Sequence, residues 1–243
     1  MTRLLILASN STNPGGEYLG HLDDAIRDHF SDSTRVAFIP YALADLDGYS
    51  TTAERKFESL GIHLESVHRH PQPAQAVRAA EGIFIGGGNT FRLLDRLISH
   101  DLVEPIRDLV DGGGPYLGTS AGSNVACPTI GTTNDMPIVQ PPTFEALGLV
   151  SFQINPHYIE RDPDTPHGGE TRRQRLAEFH EENEAPVVGL REGSWLDLGE
   201  SIVLRGPHPA ILFQRGVEPI EITPGEIPGD YLPNNAPPGA AML

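Results

Sequence analysis

A serine stands between two glycines in Gly118-Thr119-Ser120-Ala121-Gly122, a setting in which a hydroxyl can serve as a nucleophile. Pro115-Tyr116-Leu117 before it is an apolar run long enough to end a buried strand. The residues from Ala121 to Cys127 after it can wind a short helix before Pro128 stops it. A strand that turns abruptly into a helix needs small residues around the turning position, because larger side chains would clash there. The hydroxyl then lies beside helix N-terminal amides, which can receive negative charge. A serine hydroxyl is a weak nucleophile until a base takes its proton, and a histidine base works best when a carboxylate holds its other ring nitrogen. His157 follows an apolar run at 150–154 and Asn155-Pro156, and Glu192 follows the run 186–190. Both are spaced as strand-end residues. Each piece has a plainer reading: an ordinary tight turn at Ser120, a turn histidine at 157, a solvated carboxylate at 192.

The elements that must position these groups alternate. Apolar strands are expected at 3–8, 35–40, 62–67 and 82–85, with helices at 17–30, 51–60 and 73–80 between them. Helices at 91–99 and 102–110 precede the strand that carries Ser120. Strands alternating with helices at this pitch predict an α/β fold: three layers, a mostly parallel sheet with helices on both faces. Such sheets place their chemistry at the carboxyl ends of the strands, where Gly86-Gly87-Gly88, Ser120, His157 and Glu192 would collect. Further on, a strand is expected at 150–154, a helix at 170–182, a strand at 186–190, and antiparallel strands between 195 and 223. Residues 1–228 read as one domain, and 229–243 as a Pro/Gly-rich tail with little to bury.

Composition narrows the functions. At 243 residues the chain is long enough to bury roughly 70–75% of its unfolded surface without disulfides or metal. Cys127 is the only cysteine, which excludes a disulfide framework and a thiolate cluster. A formal charge of −16 argues against a nucleic-acid partner. No stretch approaches the ~20 apolar residues of a membrane span, so no membrane partner is expected and the chain reads as cytoplasmic. Any anionic substrate must be met by local arginine against an unfavourable overall field. The triple glycine is not followed by the Lys and Ser/Thr of a P-loop. His68-x-His70 has no third ligand nearby, and Asp45-x-Asp47-Gly48 lacks the rest of a calcium loop.

Six segments together carry a resemblance: Gly86-Gly-Gly-Asn-Thr-Phe, Thr119-Ser-Ala-Gly, Ala126-Cys-Pro-Thr, Thr133-Asn-Asp-Met-Pro-Ile-Val, Gln153-Ile-Asn-Pro-His and Gly169-Glu-Thr-Arg. The chain resembles the S51 family of serine peptidases, from its first strand to about Trp195. The resemblance implies a flavodoxin-like sheet related to class I glutamine amidotransferases. It also implies hydrolysis of small acidic dipeptides, Asp-Xaa with a free amino terminus, without metal or cofactor. Ser120 matches the family nucleophile, His157 its base and Glu192 the acid behind the base. The N–H groups of Gly88 and Ala121 match the oxyanion hole. Arg172 matches the arginine that binds the aspartyl side chain, with Arg173 and Arg175 expected on other helix faces. Asp135 would bind the substrate ammonium or support the site's loops, and Asn89 joins the substrate-binding set. Two departures stand out. Thr119 replaces a tryptophan of relatives and would leave a roomier pocket floor, and the loop 158–168 has an extra residue and could act as a lid. A cyanophycinase-type peptidase acting on β-aspartyl-arginine and a non-catalytic binder of small anions are the alternatives. A homodimer is compatible with the sequence, which does not fix the oligomeric state.

Overall fold

The structure is a computed structural model that describes residues 2–160 and 169–232. Its first half alternates as expected. The strands are β1 (Leu5–Ala8), β2 (Val36–Ile39), β3 (Leu64–Ser66), β4 (Gly82–Ile85) and β5 (Tyr116–Thr119). Between and after them come α1 (Asp23–His29), α2 (Leu46–Ser59), α3 (Pro73–Arg78), α4 (Thr90–Ser99), α5 (Val103–Asp111) and the short α6 (Ala121–Ala126). The second half holds β6 (Gln153–Pro156), α7 (Arg172–Glu182), β7 (Val187–Leu190), β8 (Trp195–Leu198), β9 (Ile202–Arg205), β10 (Ala210–Gln214), β11 (Val217–Ile222) and β12 (Gly225–Glu226).

The main sheet has eight strands in the order β12-β9-β8-β1-β5-β4-β2-β3. Its β1-β5-β4-β2-β3 portion is parallel throughout, and β8, β9 and β12 extend it antiparallel beyond β1. Residues along each strand alternate between two cores. Leu5, Leu7, Ala37, Ile39, Ile83 and Ile85 face one layer; Ile6, Ala8, Val36, Phe38 and Phe84 face the other. A strand buried on both faces needs apolar side chains at every position, and β1, β2 and β4 are buried along their whole length. Helices cover the faces by the same logic: α4 buries Leu93, Leu94 and Leu97 on one stripe.

Three expectations change here. A single sheet was expected to carry all the site strands, yet β6 and β7 leave it. They pair parallel with each other in a separate four-stranded sheet, β11-β10-β7-β6, whose β10 and β11 are antiparallel. The strands between 195 and 223 are therefore divided between the two sheets. The expected strand at 150–154 is β6 at Gln153–Pro156, because Val150 and Phe152 are buried without entering the ladder. The helix expected over 17–30 begins later, after a 3-10 turn at Gly20–Leu22 entered through Leu19 with φ +57°. Of the tail, residues 233–243 lie outside the described residues. Among the described residues no helix is long and apolar enough to cross a membrane.

One buried group makes the fold sensitive to acid. The Tyr116 carbonyl accepts from His29 Nε2–H at 3.1 Å, and burial pushes the His29 imidazole down from 6.5 to about 4. Between those values the unfolded chain binds a proton that the folded one refuses, so stability falls as pH drops from above 6.5 toward 4. At pH 5 the loss is at most about 2 kcal/mol, which corresponds to a Tm shift of about 5 °C in a chain this size. His29→Gln keeps a donor for the Tyr116 carbonyl but does not titrate. Its Tm is expected to fall about 5 °C less than that of the natural protein between pH 7 and pH 5. Parallel melting curves against pH for the two proteins would remove this assignment.

Candidate active site

β5 runs into α6 through a single residue. Ser120 has φ +51° and ψ −109°, a backbone conformation that costs an L-residue about 1–3 kcal/mol and persists only when its surroundings enforce it. The flanking glycines show how. A Cβ on Gly118 would lie 2.6 Å from the Gly122 carbonyl oxygen, and one on Gly122 would collide with the Ile85 carbonyl of β4. The turn thus closes against itself and the neighbouring strand because both positions lack a side chain. α6 is buried along its whole length, which fixes the first residues after the serine.

Ser120 Oγ lies 2.9 Å from His157 Nε2, and His157 Nδ1 lies 2.6 Å from Glu192 Oε1. An ionised carboxylate only accepts, so Nδ1 carries the proton and Nε2 keeps a lone pair for the serine O–H. His157 comes directly after β6, with φ +53°, and Glu192 two residues after β7. The relay therefore crosses from the main sheet to the small one. Arg191 holds the glutamate's turn from outside by donating to the Pro209 carbonyl at 2.6 Å and pairing with Glu160 and Glu221.

The triple glycine forms the opposite wall. Tyr49 Oη stands where a Gly86 Cβ would be, a Gly87 Cβ would lie 3.1 Å from the Ser120 Cβ, and Gly88 has φ +137° beside the Ala42 carbonyl. Among the described residues, the N–H groups of Gly88 and Ala121 have no hydrogen-bond partner. Both are backbone donors without an acceptor, on the two chain segments that meet at the serine. A cleft of about 500 Å³ opens over them, lined in part by Tyr18, Tyr49, Gly88, Ser120, Asp135 and His157.

The remaining residues singled out from sequence fall around this cleft in different ways. Asp135 Oδ2 accepts from the Thr90 N–H at 2.7 Å, the Thr90 hydroxyl at 2.6 Å and the Thr133 hydroxyl at 3.2 Å, which satisfies the start of α4. Its Oδ1 has no partner among the described residues. The Asn89 side chain caps the same helix by accepting from Arg92 N–H at 3.0 Å, while its Nδ2 donates to the Met136 carbonyl at 2.8 Å. These bonds tie segment 133–136 to the end of the glycine loop. Arg172 is the first residue of α7, behind a capping box of Thr171 and Gln174, and is half-buried. It has no hydrogen bond or ion pair among the described residues. Burial and the nearby Arg175 guanidinium loosen its proton, while Asp135 acts in the opposite sense. The expectation for Arg175 is corrected here: one turn further on, it shares the neighbourhood of Arg172, whereas Arg173 points to Glu218. Thr119 is fully buried beneath Gly87, its hydroxyl without a partner among the described residues. The loop read as a lid falls mostly on 161–168, outside the described residues.

Ser9 and Asn10 were not among the residues singled out from the sequence. Both are buried polar residues at the carboxyl end of β1, beside the relay. Along the chain they look like any pair of polar residues closing an apolar strand.

An elbow serine, an imidazole within hydrogen-bond reach and a carboxylate behind it, set on an α/β sheet, form the arrangement that serine-type hydrolases use. The family model described as Peptidase family S51 matches residues 5–204, and the chain belongs to that family. It is 50% identical over 222 residues to a protein of Streptomyces coelicolor named "Peptidase E", covering 91% of each chain. It is 45% identical over 226 residues to a Drosophila melanogaster protein named "Probable alpha-aspartyl dipeptidase", covering 91% of this chain and 94% of that one. The crystal structure of a peptidase from an acI-B1 Actinobacterium shares the fold with a TM-score of 0.69 at 18% identity, over 92% of this chain and 95% of the other.

Proposed function

We propose that the protein is a serine-type dipeptidase that hydrolyses Asp-Xaa dipeptides with a free amino terminus through an acyl-enzyme. The observation that carries the reading is the Ser120–His157–Glu192 relay set beside two backbone amides that have no partner among the described residues. His157 Nε2 takes the serine proton as Oγ bonds to the scissile carbonyl carbon, and the resulting oxyanion sits on the N–H groups of Gly88 and Ala121. The imidazolium then protonates the leaving amine as the C–N bond breaks. Water repeats the sequence on the ester, and the released serine recovers its proton.

Arg172 supplies the specificity in this reading. A half-buried guanidinium with no anionic partner in hydrogen-bond contact among the described residues, at the positive end of a helix, suits a bidentate carboxylate. Asp135, with one oxygen uncommitted, suits the substrate ammonium, and Asn89 braces the same wall. The family membership and the name of the Drosophila relative support the substrate class. The small acidic dipeptides of this reading, together with a lone buried cysteine, fit an enzyme of the cytoplasm. The domain is read as residues 1–228.

The test is a panel of Asp-Leu, Glu-Leu, Asn-Leu, N-acetyl-Asp-Leu and β-Asp-Arg, each with EDTA present. Asp-Leu is expected to be cleaved with kcat/KM about 10³-fold above Asn-Leu, because the neutral amide leaves the arginine without its partner. Equal cleavage of the two would remove Arg172 from its role. Preference for β-Asp-Arg would transfer the site to the cyanophycinase-type reaction.

A further inference from the structure

The relay joins two sheets, and packing across a seam is a loose way to hold a 2.6 Å and a 2.9 Å contact in line. Three consecutive residues at the end of β1 span that seam. The Ala8 carbonyl accepts from the Ser120 N–H at 3.0 Å and the Ser123 hydroxyl at 2.7 Å, which anchors the elbow. Ser9 Oγ donates to the Leu190 carbonyl at 2.7 Å and accepts from the His157 N–H at 2.8 Å. Asn10 Oδ1 accepts from the Gly193 N–H at 2.8 Å, and its Nδ2 donates to Thr12 O and Asn13 Oδ1. Each of the three residues thus holds one member of the relay. All three are buried, and β1 is paired on both sides, with β5 and β8, so it is a rigid reference.

We propose that Ser9 is a positioning residue for the hydrolytic relay: its one hydroxyl fixes the backbone of His157 and the end of β7, and Asn10 fixes the turn that carries Glu192. The Ser9 hydroxyl is used both as donor and as acceptor, so no small side chain without a hydroxyl reproduces its two bonds. The His157 N–H would otherwise be unpaired at a residue already in the left-handed backbone region. A displacement of about 1 Å at a reacting group can cost 10²-fold in rate. The inference rests on the proposed serine mechanism, but not on the identity of its dipeptide.

The test uses Ser9→Ala and the nearly isosteric Ser9→Cys, whose thiol fills the same space but accepts poorly. Both are expected to lower kcat on Asp-Leu by about 10²-fold with KM within about twofold, and to slow fluorophosphonate labelling of Ser120 in parallel. In a His157→Ala background, Ser9→Ala is expected to cost nothing further, because Ser9 acts through the imidazole. A kcat within threefold of the natural enzyme in either folded variant overturns the proposal. So does a loss carried by KM, or an undiminished loss in the His157→Ala background. Should the natural protein cleave no dipeptide yet react with the fluorophosphonate, the substrate reading fails while the Ser9 effect is still read from the labelling rate.

Discussion

Ser120→Ala is expected to lower kcat on Asp-Leu by at least ~10⁴-fold while leaving the fold intact. On the proposed mechanism the residual rate comes from the amides of Gly88 and Ala121 and from substrate binding, which survive the loss of the hydroxyl. Alanine inherits the φ of +51°, so it neither relieves nor adds to the backbone strain, and it removes a side chain whose one relay bond is to His157. The Tm is therefore expected to stay within a few degrees of that of the natural protein. Single-turnover kinetics with Asp-Leu should also lose the fast first phase of product release, since no ester can form. Adding His157→Ala to Ser120→Ala should cost little more, because the two groups act as one unit. Retention of more than a tenth of the activity would remove the serine from the mechanism.

Glu192→Gln is expected to cost about 10⁴-fold in kcat, a loss out of proportion to a change of one atom. The reason is the tautomer. Glu192 can only accept from Nδ1–H, which leaves the Nε2 lone pair facing Ser120. A glutamine can donate from its amide, and the ring then carries its proton on Nε2, where it cannot take another. Asp135 is a carboxylate that lines the cleft itself, and Asp135→Asn should behave differently. Its three bonds go to Thr90 and Thr133, so the expected loss falls on stability and KM, with kcat within about tenfold. Steady-state kinetics on both variants decide the matter. A near-normal kcat in Glu192→Gln with a 10⁴-fold loss in Asp135→Asn would exchange the two roles.

The strand-helix alternation of the first 126 residues was legible because local rules govern it. Strands buried on both faces are apolar at every position, helices show their stripe, and glycines mark the turns. The elbow could be read for the same reason. Gly118 and Gly122 are required by contacts with residues at most a few dozen positions away, and the sequence shows two residues without side chains flanking a serine. Ser120, His157 and Glu192 were each recognisable as polar residues closing apolar runs.

The sequence by itself determined that these groups end strands. Only the tertiary structure decided that His157 and Glu192 stand on a second sheet, because parallel pairing of β6 with β7, rather than with β1, depends on contacts between distant segments that no local periodicity records. The same physics hid Ser9. A hydroxyl that stitches residues 157 and 190 to residue 9 looks, along the chain, like any serine at the end of a strand.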